Sequence, residues 1–242
     1  ALSVALAQQL NTVIFSADSR QFYQELAIGT AKPTSEEMQG VKHHFIDSHS
    51  IADYYSVGDY ERDCLAVLDE IFTRKDVAIL TGGSGMFIKI VTDGLDEMPE
   101  ADLELRESLM TRLETEGLDS LTAQLRELDP VYFEEVDQQN PQRIVRALEV
   151  CLATGQPFSA FRKKQKKERP FECIKIALER PREELYARID LRMDLMLAQG
   201  LEEEARSALP YREHYALKTV GYKEIYEHWD GQYDRDEMVR LL

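Results

Sequence analysis

The chain has 242 residues, 43% hydrophobic and 31% charged, with 29 Lys and Arg against 45 Asp and Glu for a formal net charge of −16. This is enough chain for one large domain, or for one domain carrying an insertion, and the profile excludes a disordered or fibrous protein. No apolar run approaches the roughly 20 residues of a membrane helix, and the acidity excludes non-specific nucleic-acid binding over the whole surface while leaving room for a local basic patch.

Residues 1–10 lack the basic start and small-residue cleavage site of a leader, so they read as a helix with Leu2, Val4, Ala5 and Leu10 on its apolar face. Thr12-Val13-Ile14-Phe15 is a buried strand running into the polar loop Ser16-Ala17-Asp18-Ser19. His44 to Asp47 suggests a second short strand. Val57 to Arg74 has helical spacing at Tyr60, Cys64, Val67, Leu68 and Ile71, and Val77 to Leu80 is a further buried strand followed by Thr81-Gly82-Gly83-Ser84-Gly85. Strands alternating with amphipathic helices indicate a parallel sheet covered on both faces. Ligands of such sheets bind beyond the carboxyl ends of the strands, where the Asp18 and Gly82 loops both fall.

The character changes near Met98-Pro99, so residues 1–97 are expected to form the first part of an α/β core, 98–168 a helical insertion, and 169–242 the second part of the core. Within the insertion Asp129-Pro130 and Asn140-Pro141 separate successive helices, with Asn140 as N-cap and Pro141 in the first turn of a helix that stops near Gly155. Arg162 to Arg169 is the one basic run. Ile174 to Leu178 predicts a strand, and Leu185, Ile189, Met193, Met196 and Leu197 predict a long helix ending at Gly200. The three cysteines, Cys64, Cys151 and Cys173, have no metal-type spacing and imply a reduced cytoplasmic protein. The five histidines lack a metal spacing, and no metal ligand set can be assigned.

Several residues carry potential chemistry, each with a plainer alternative. Asp18, at a strand end, can accept a proton, bind a metal or hold a hydroxyl, or simply cap a helix. The Gly82–Gly85 loop can offer N–H groups to an anion or be an ordinary turn. Arg188 and Arg192 share a helix face and suit a diphosphate, although Asp190 and Asp194 nearby suggest surface ion pairs. Arg143 and Arg146 share a face toward a nucleic acid, and the run Arg162–Arg169 is either a local positive feature or a solvated loop.

Taken together, Ser16-Ala17-Asp18-Ser19-Arg20-Gln21-Phe22-Tyr23, Ile28-Gly29-Thr30-Ala31-Lys32-Pro33-Thr34, Gly82-Gly83-Ser84-Gly85, Asn140 to Glu149, Leu185 to Arg192 and Val220-Gly221-Tyr222-Lys223-Glu224 resemble, in order, the tRNA dimethylallyltransferase (tRNA isopentenyltransferase) family of bacterial type. The resemblance implies a P-loop-NTPase-like parallel sheet flanked by helices, with an all-helical insertion that closes on tRNA. It implies transfer of a dimethylallyl group from dimethylallyl diphosphate to N6 of the adenosine 3′ of the anticodon, with Mg2+ as cofactor, in a cytoplasmic monomer that makes no use of a membrane. Asp18 is then the proton acceptor, Arg192 and Arg188 contact the diphosphate, and Ser84 supplies the hydroxyl where the family usually has threonine. Asp18, Ser19, Arg20, Gln21, Arg106, Gln142, Arg143, Ile144, Val145 and Arg146 match tRNA-contacting positions. The family's Gly-Pro-Thr-x-x-Gly-Lys-Thr loop belongs just upstream of the helix that opens at Ala1, and a basic tail belongs beyond Leu242; without that loop little activity is expected. The competing expectations are a P-loop enzyme for a free adenine nucleotide and a non-catalytic tRNA-binding protein.

Overall fold

The computed structural model describes residues 1–100, 102–163 and 165–242. They form two compact units, one of residues 1–92 with 169–242 and the other of residues 93–168. The change of sequence character at Met98-Pro99 lies a few residues inside the second unit.

The first unit opens with α1 (Leu2–Gln9), which buries Val4 and Ala7 against Ile14 of β1 (Ile14–Ser16), while Leu2 and Leu10 are exposed. After the short α2 (Ser35–Met38), capped by a reciprocal Thr34–Glu37 box, comes β2 (His43–His44). The longer strand expected there stops early because Phe45 and Asp47 adopt φ of 62° and 53°, a left-handed backbone that cannot extend a strand. The helix α3 (Val57–Phe72) starts at a Ser56–Asp59 capping box and buries Tyr60, Cys64 and Leu68 at helical spacing. Next come β3 (Ile79–Thr81) and α4 (Gly85–Asp93). The sheet is parallel throughout in the order β2-β1-β3, with Ile14 opposite both His43 and Ile79. The central strand is fully buried, so the loop leaving it is held on both sides.

The second unit is all helix: α5 (Leu103–Glu116), α6 (Leu118–Leu128), α7 (Pro130–Glu135), α8 (Pro141–Thr154) and α9 (Phe158–Phe161). Its core gathers Leu109, Leu121, Leu125, Tyr132 and Val136 with Ile144, Val145, Leu148 and Cys151 of α8. The starts are set by side-chain caps. Asp102 accepts from the Leu105 N–H at 3.0 Å and Asn140 from the Arg143 N–H at 3.2 Å. Fully buried Asp129 accepts from the Tyr132 N–H at 3.0 Å, and also from the Ser159 N–H and hydroxyl at 2.7 Å each, fastening α9 to α7. Gly155, at φ 68°, ends α8 in the left-handed conformation its position requires.

The first unit resumes with α10 (Arg182–Ala198), α11 (Leu201–Ser207), α12 (Tyr222–Trp229) and α13 (Arg235–Leu241). The strand expected at Ile174–Leu178 does not form: Ile174, Ile176 and Leu178 are 90%, 74% and 73% exposed, and no strand of the sheet pairs with them. A β-branched pattern supplies propensity, whereas a strand exists only where a neighbouring edge satisfies its backbone groups.

Candidate functional site

At the carboxyl end of β1 the chain turns through Asp18, and the turn is over-determined. Asp18 Oδ1 accepts from the N–H groups of Arg20 at 2.8 Å and Gln21 at 3.3 Å, the self-capping turn that aspartate favours. The plain capping reading is thus met by one oxygen, while Oδ2 takes no hydrogen bond among the described residues. The Gly82 loop is stitched alongside. The Ala17 N–H donates to the Thr81 carbonyl at 2.7 Å, and the Ser84 N–H donates to the Ala17 carbonyl at 3.1 Å. The Ser84 hydroxyl accepts from the Ser19 N–H at 2.9 Å. A Cβ on Gly82 would lie 2.2 Å from the Ala17 oxygen, so only glycine permits this approach. Ser84 therefore stands immediately before α4 and one hydrogen bond from the acid loop.

Below the turn, Phe22 and Tyr23 are buried in an aromatic cluster, with Phe22 5.0 Å from Tyr55 and 6.1 Å from Phe87 between ring centroids. Burial, then the hydrogen bond between the Tyr23 and Tyr215 hydroxyls at 2.5 Å, pushes the Tyr23 phenol well above its ordinary range and keeps it neutral. Arg20 lies over the Tyr215 ring at 5.1 Å and donates to the carbonyls of Ser19 at 3.0 Å and Tyr215 at 3.3 Å, while its buried Nε has no partner among the described residues. The Gln21 amide donates to the carbonyls of Thr30 and Ala31 at 3.2 Å each and accepts from the Ser16 hydroxyl at 3.0 Å. Lys32, whose side chain is almost wholly buried, donates to the Tyr23 carbonyl at 2.6 Å and pairs with Asp47 at 2.5 Å. The two loops Asp18–Gln21 and Ala27–Lys32 are thus one bonded assembly.

Arg188 and Arg192 lie on α10, both exposed, and among the described residues neither pairs with a carboxylate. The intrahelical ion pairs suggested by Asp190 and Asp194 are not made. No hydrogen bond among the described residues joins either arginine to the Asp18 loop.

In the second unit, Arg106, Gln142 and Arg146 come together around an acid that sequence reasoning passed over. Glu149 is 1% exposed and takes Arg106 at 3.4 Å and Arg146 in a closer pair. Arg146 also donates to the Pro99 carbonyl at 2.9 Å, and Arg106 to the Gln142 amide oxygen at 3.4 Å. Its spacing from Arg146 was a weak signal for Glu149, since residues three apart share a helix face. Arg143 and Gln142 are exposed, whereas Ile144 and Val145 are completely buried in the helical core, so their side chains offer no surface to a ligand. The basic run is not uniform. Arg162 pairs with Glu135 at 2.9 Å and lies 4.7 Å from the Tyr132 ring centroid. Lys166 pairs with Asp93 at 3.3 Å, and Lys163 is exposed. Arg169 is half-buried, donating to the carbonyls of Val91 at 2.9 Å and Ile90 at 2.7 Å and pairing with Glu61. Lys164 lies outside the described residues.

Among the described residues no three His, Cys, Asp or Glu side chains gather as a metal site. Nor is any helix among them long and apolar enough to cross a membrane. Cys64 and Cys151 are buried and Cys173 exposed, all as free thiols.

A parallel sheet with an acid loop and a glycine loop at the carboxyl ends of adjacent strands, together with a helical unit, is an α/β architecture whose strand ends form the expected place for a ligand. Residues 21–242 match the family model described as IPP transferase, and the chain belongs to that family. It is 52% identical, over all of its length and 80% of the relative's, to the tRNA dimethylallyltransferase of Cytophaga hutchinsonii. It is 51% identical over 241 residues to tRNA dimethylallyltransferase 2 of Porphyromonas gingivalis, again spanning 80% of that protein. Among solved structures, the full-length tRNA isopentenylpyrophosphate transferase of Bacillus halodurans superposes with a TM-score of 0.68 at 32% identity, covering 99% of this chain and 76% of that one.

Proposed function

We propose that the chain transfers a dimethylallyl group from dimethylallyl diphosphate to N6 of the adenosine 3′ of a tRNA anticodon, with Asp18 as proton acceptor and Arg188 and Arg192 on the diphosphate. The observation that carries this reading is the Asp18 carboxylate: Oδ1 is fixed by two backbone N–H groups and Oδ2 takes no hydrogen bond among the described residues. A carboxylate oriented by one oxygen and open at the other suits a group that must receive a proton from a set direction. Three names support the acceptor: the two relatives and the bacterial structure are each named for tRNA.

The adenine amine is inaccessible in a base stack, so the base is flipped out to reach Asp18. N6 attacks the allylic carbon; the N–C bond forms as the C–O bond breaks, and the diphosphate leaves with the bonding electrons. Asp18 holds the amine through a hydrogen bond and takes the proton N6 sheds. The exposed guanidiniums of Arg188 and Arg192, not engaged by carboxylates among the described residues, are suited to phosphate oxygens in forked pairs. A Mg2+ ion bound with the donor would neutralise charge on the leaving diphosphate. In the second unit Arg106, Gln142, Arg143 and Arg146 take the tRNA, while Ile144 and Val145 serve the packing that presents them. The reading places the protein in the cytoplasm with its tRNA.

The test is Asp18→Ala in the full-length protein. The single-turnover rate should fall by roughly 10²–10⁴-fold, the scale of general acid–base groups, with tRNA affinity little changed. A rate within threefold of the parent overturns the assignment.

A further inference from the structure

We propose that Glu204 is a positioning residue for the acceptor loop, acting through the turn Ala27–Ala31 and the side chain of Gln21; the inference rests on Asp18 being the proton acceptor. Glu204 lies in α11, and its carboxylate reaches a segment 177 positions away in sequence. Oε2 accepts from the N–H groups of Ala27 and Ile28 at 2.8 Å each. Oε1 accepts from the Gly29 N–H at 2.9 Å and the Tyr222 hydroxyl at 2.5 Å. Four donors saturate the lone pairs of one carboxylate, and bonds to an ionised acceptor are about twice as strong as neutral ones. Three consecutive backbone N–H groups converging on one anion form a nest, here filled by the protein's own side chain.

Everything around this contact is shaped for it. Tyr222 is completely buried, and a Cβ on Gly29 would lie 2.5 Å from both its Cζ and its hydroxyl oxygen, so the phenol reaches Glu204 only over a glycine. Burial, then the bond to Glu204, drives the Tyr222 phenol far above its ordinary range and fixes it as the donor. The turn held in this way closes on itself, the Ala31 N–H donating to the Ile28 carbonyl at 2.9 Å and the Lys32 N–H to the Ala27 carbonyl at 3.1 Å. Its Thr30 and Ala31 carbonyls are the acceptors of the Gln21 amide. The Gln21 N–H in turn is one of the two donors that orient Asp18. A continuous set of bonds therefore runs from Glu204 through the turn and Gln21 to the Asp18 carboxylate.

The prediction is a loss of rate without a loss of donor binding. In the full-length protein, Glu204→Gln keeps the shape but presents an NH2 where an acceptor is needed. Its single-turnover rate, normalised to sites titrated by dimethylallyl diphosphate, should fall about 10- to 100-fold, with the donor KM within twofold. Tyr222→Phe removes one donor of four and should lower the same rate about two- to tenfold. Because Glu204 acts through Gln21, the double variant Glu204→Gln with Gln21→Ala should lose less than the product of the two single losses. A merely structural role would lower the number of titratable sites and leave the rate per site unchanged. With Asp18→Ala measured alongside, a per-site rate retained in Glu204→Gln while Asp18→Ala loses activity overturns this proposal alone. Full activity in Asp18→Ala overturns the acceptor assignment and this proposal with it. If Glu204→Gln does not fold, Tyr222→Phe decides, and an unchanged rate per site in it refutes the relay.

Discussion

Replacing Glu149 with glutamine separates two accounts of how the helical unit meets a polyanion. The residue is 1% exposed, whereas the side chains of its partners Arg106 and Arg146 are 36% and 28% exposed. Glutamine keeps the volume and one acceptor oxygen but removes the charge, so the closer bond to Arg146 becomes an ordinary one and the longer bond to Arg106 at 3.4 Å is lost to an NH2 group. At about 1 kcal/mol for each of the two, the loss is about 2 kcal/mol. It stays below the 3–5 kcal/mol or so typical of a broken buried pair because water reaches both arginines. A chain of this size should then melt roughly 4–8 °C earlier. The effect on tRNA is the sharper test. Simple charge counting says that deleting a carboxylate from so acidic a protein tightens binding. If instead Glu149 holds both guanidiniums ready for phosphates, its loss leaves them to be ordered on binding, at about 0.5–1.5 kcal/mol per side chain. Affinity for an anticodon stem-loop should then weaken, with a Kd rise of at least about fivefold, the roughly 1 kcal/mol lower bound for two side chains. Fluorescence anisotropy at fixed salt reads this directly. Tighter binding by Glu149→Gln would refute the pre-positioning argument and leave only bulk electrostatics.

Arg192→Lys keeps the charge but loses the fork, so steady-state kinetics should show poorer use of dimethylallyl diphosphate with an unchanged melting temperature, since the parent side chain is exposed and makes no ion pair among the described residues. A variant that melts early and keeps full turnover would assign Arg192 to the fold. Changing Lys163, Lys164, Lys166 and Lys167 together to glutamine should weaken tRNA binding and flatten its salt dependence, each lost phosphate contact removing roughly 0.7–0.9 from the slope. An unchanged slope would confine recognition to the helix arginines. His44 stacks on Phe15 at 4.9 Å with its Nε2 buried and without a partner among the described residues, and burial above all, with Lys42 and His43 adding to it, holds its pKa below the ordinary value. A lowered folded pKa means the unfolded chain binds the proton first. The stabilisation is therefore complete above about pH 6.5 and declines as pH falls toward the folded value. In urea titrations across this range His44→Phe should flatten that decline, leaving the part due to His214, which burial shifts in the same direction; an unaltered slope would dissociate His44 from it.

What the sequence reveals here is whatever depends on neighbours along the chain. Asn140-Pro141 and Gly155 bound α8 because caps and stops are local, and the glycine loop after β3 is legible because a strand, a turn and a helix follow one another directly. The acid loop was visible for the same reason: Asp18 caps the N–H groups two and three residues onward. The partners that fix those loops were not visible. Arg106 meets Glu149 across 43 positions and Glu204 meets Ala27 across 177, and no spacing rule reaches so far. Ile174–Leu178 fails in the opposite direction. Its alternation is strand-like, yet propensity cannot provide the edge on which a strand must lie.

The pairing of charges then explains how a chain of net charge −16 can select a few points for a polyanion. Some basic residues of the helical unit are neutralised in place: Arg112 by Glu116 at 2.9 Å, Arg162 by Glu135 at 2.9 Å, Lys166 by Asp93 at 3.3 Å. Each such pair has little field beyond a Debye length of about 8 Å. Arg143 differs, being exposed on the first turn of α8 with no ion pair among the described residues, while its backbone N–H is held by Asn140. Arg106 and Arg146 are intermediate, two positive charges sharing the single negative charge of Glu149. An arrangement of two guanidiniums on one buried carboxylate keeps a residual positive charge at a fixed place, which an ordinary one-to-one surface pair does not. Acidity elsewhere on the chain then works in favour of selectivity. It repels nucleic acid from approaches where basic side chains are matched, so the same net charge that excludes indiscriminate binding would sharpen the contrast at α8.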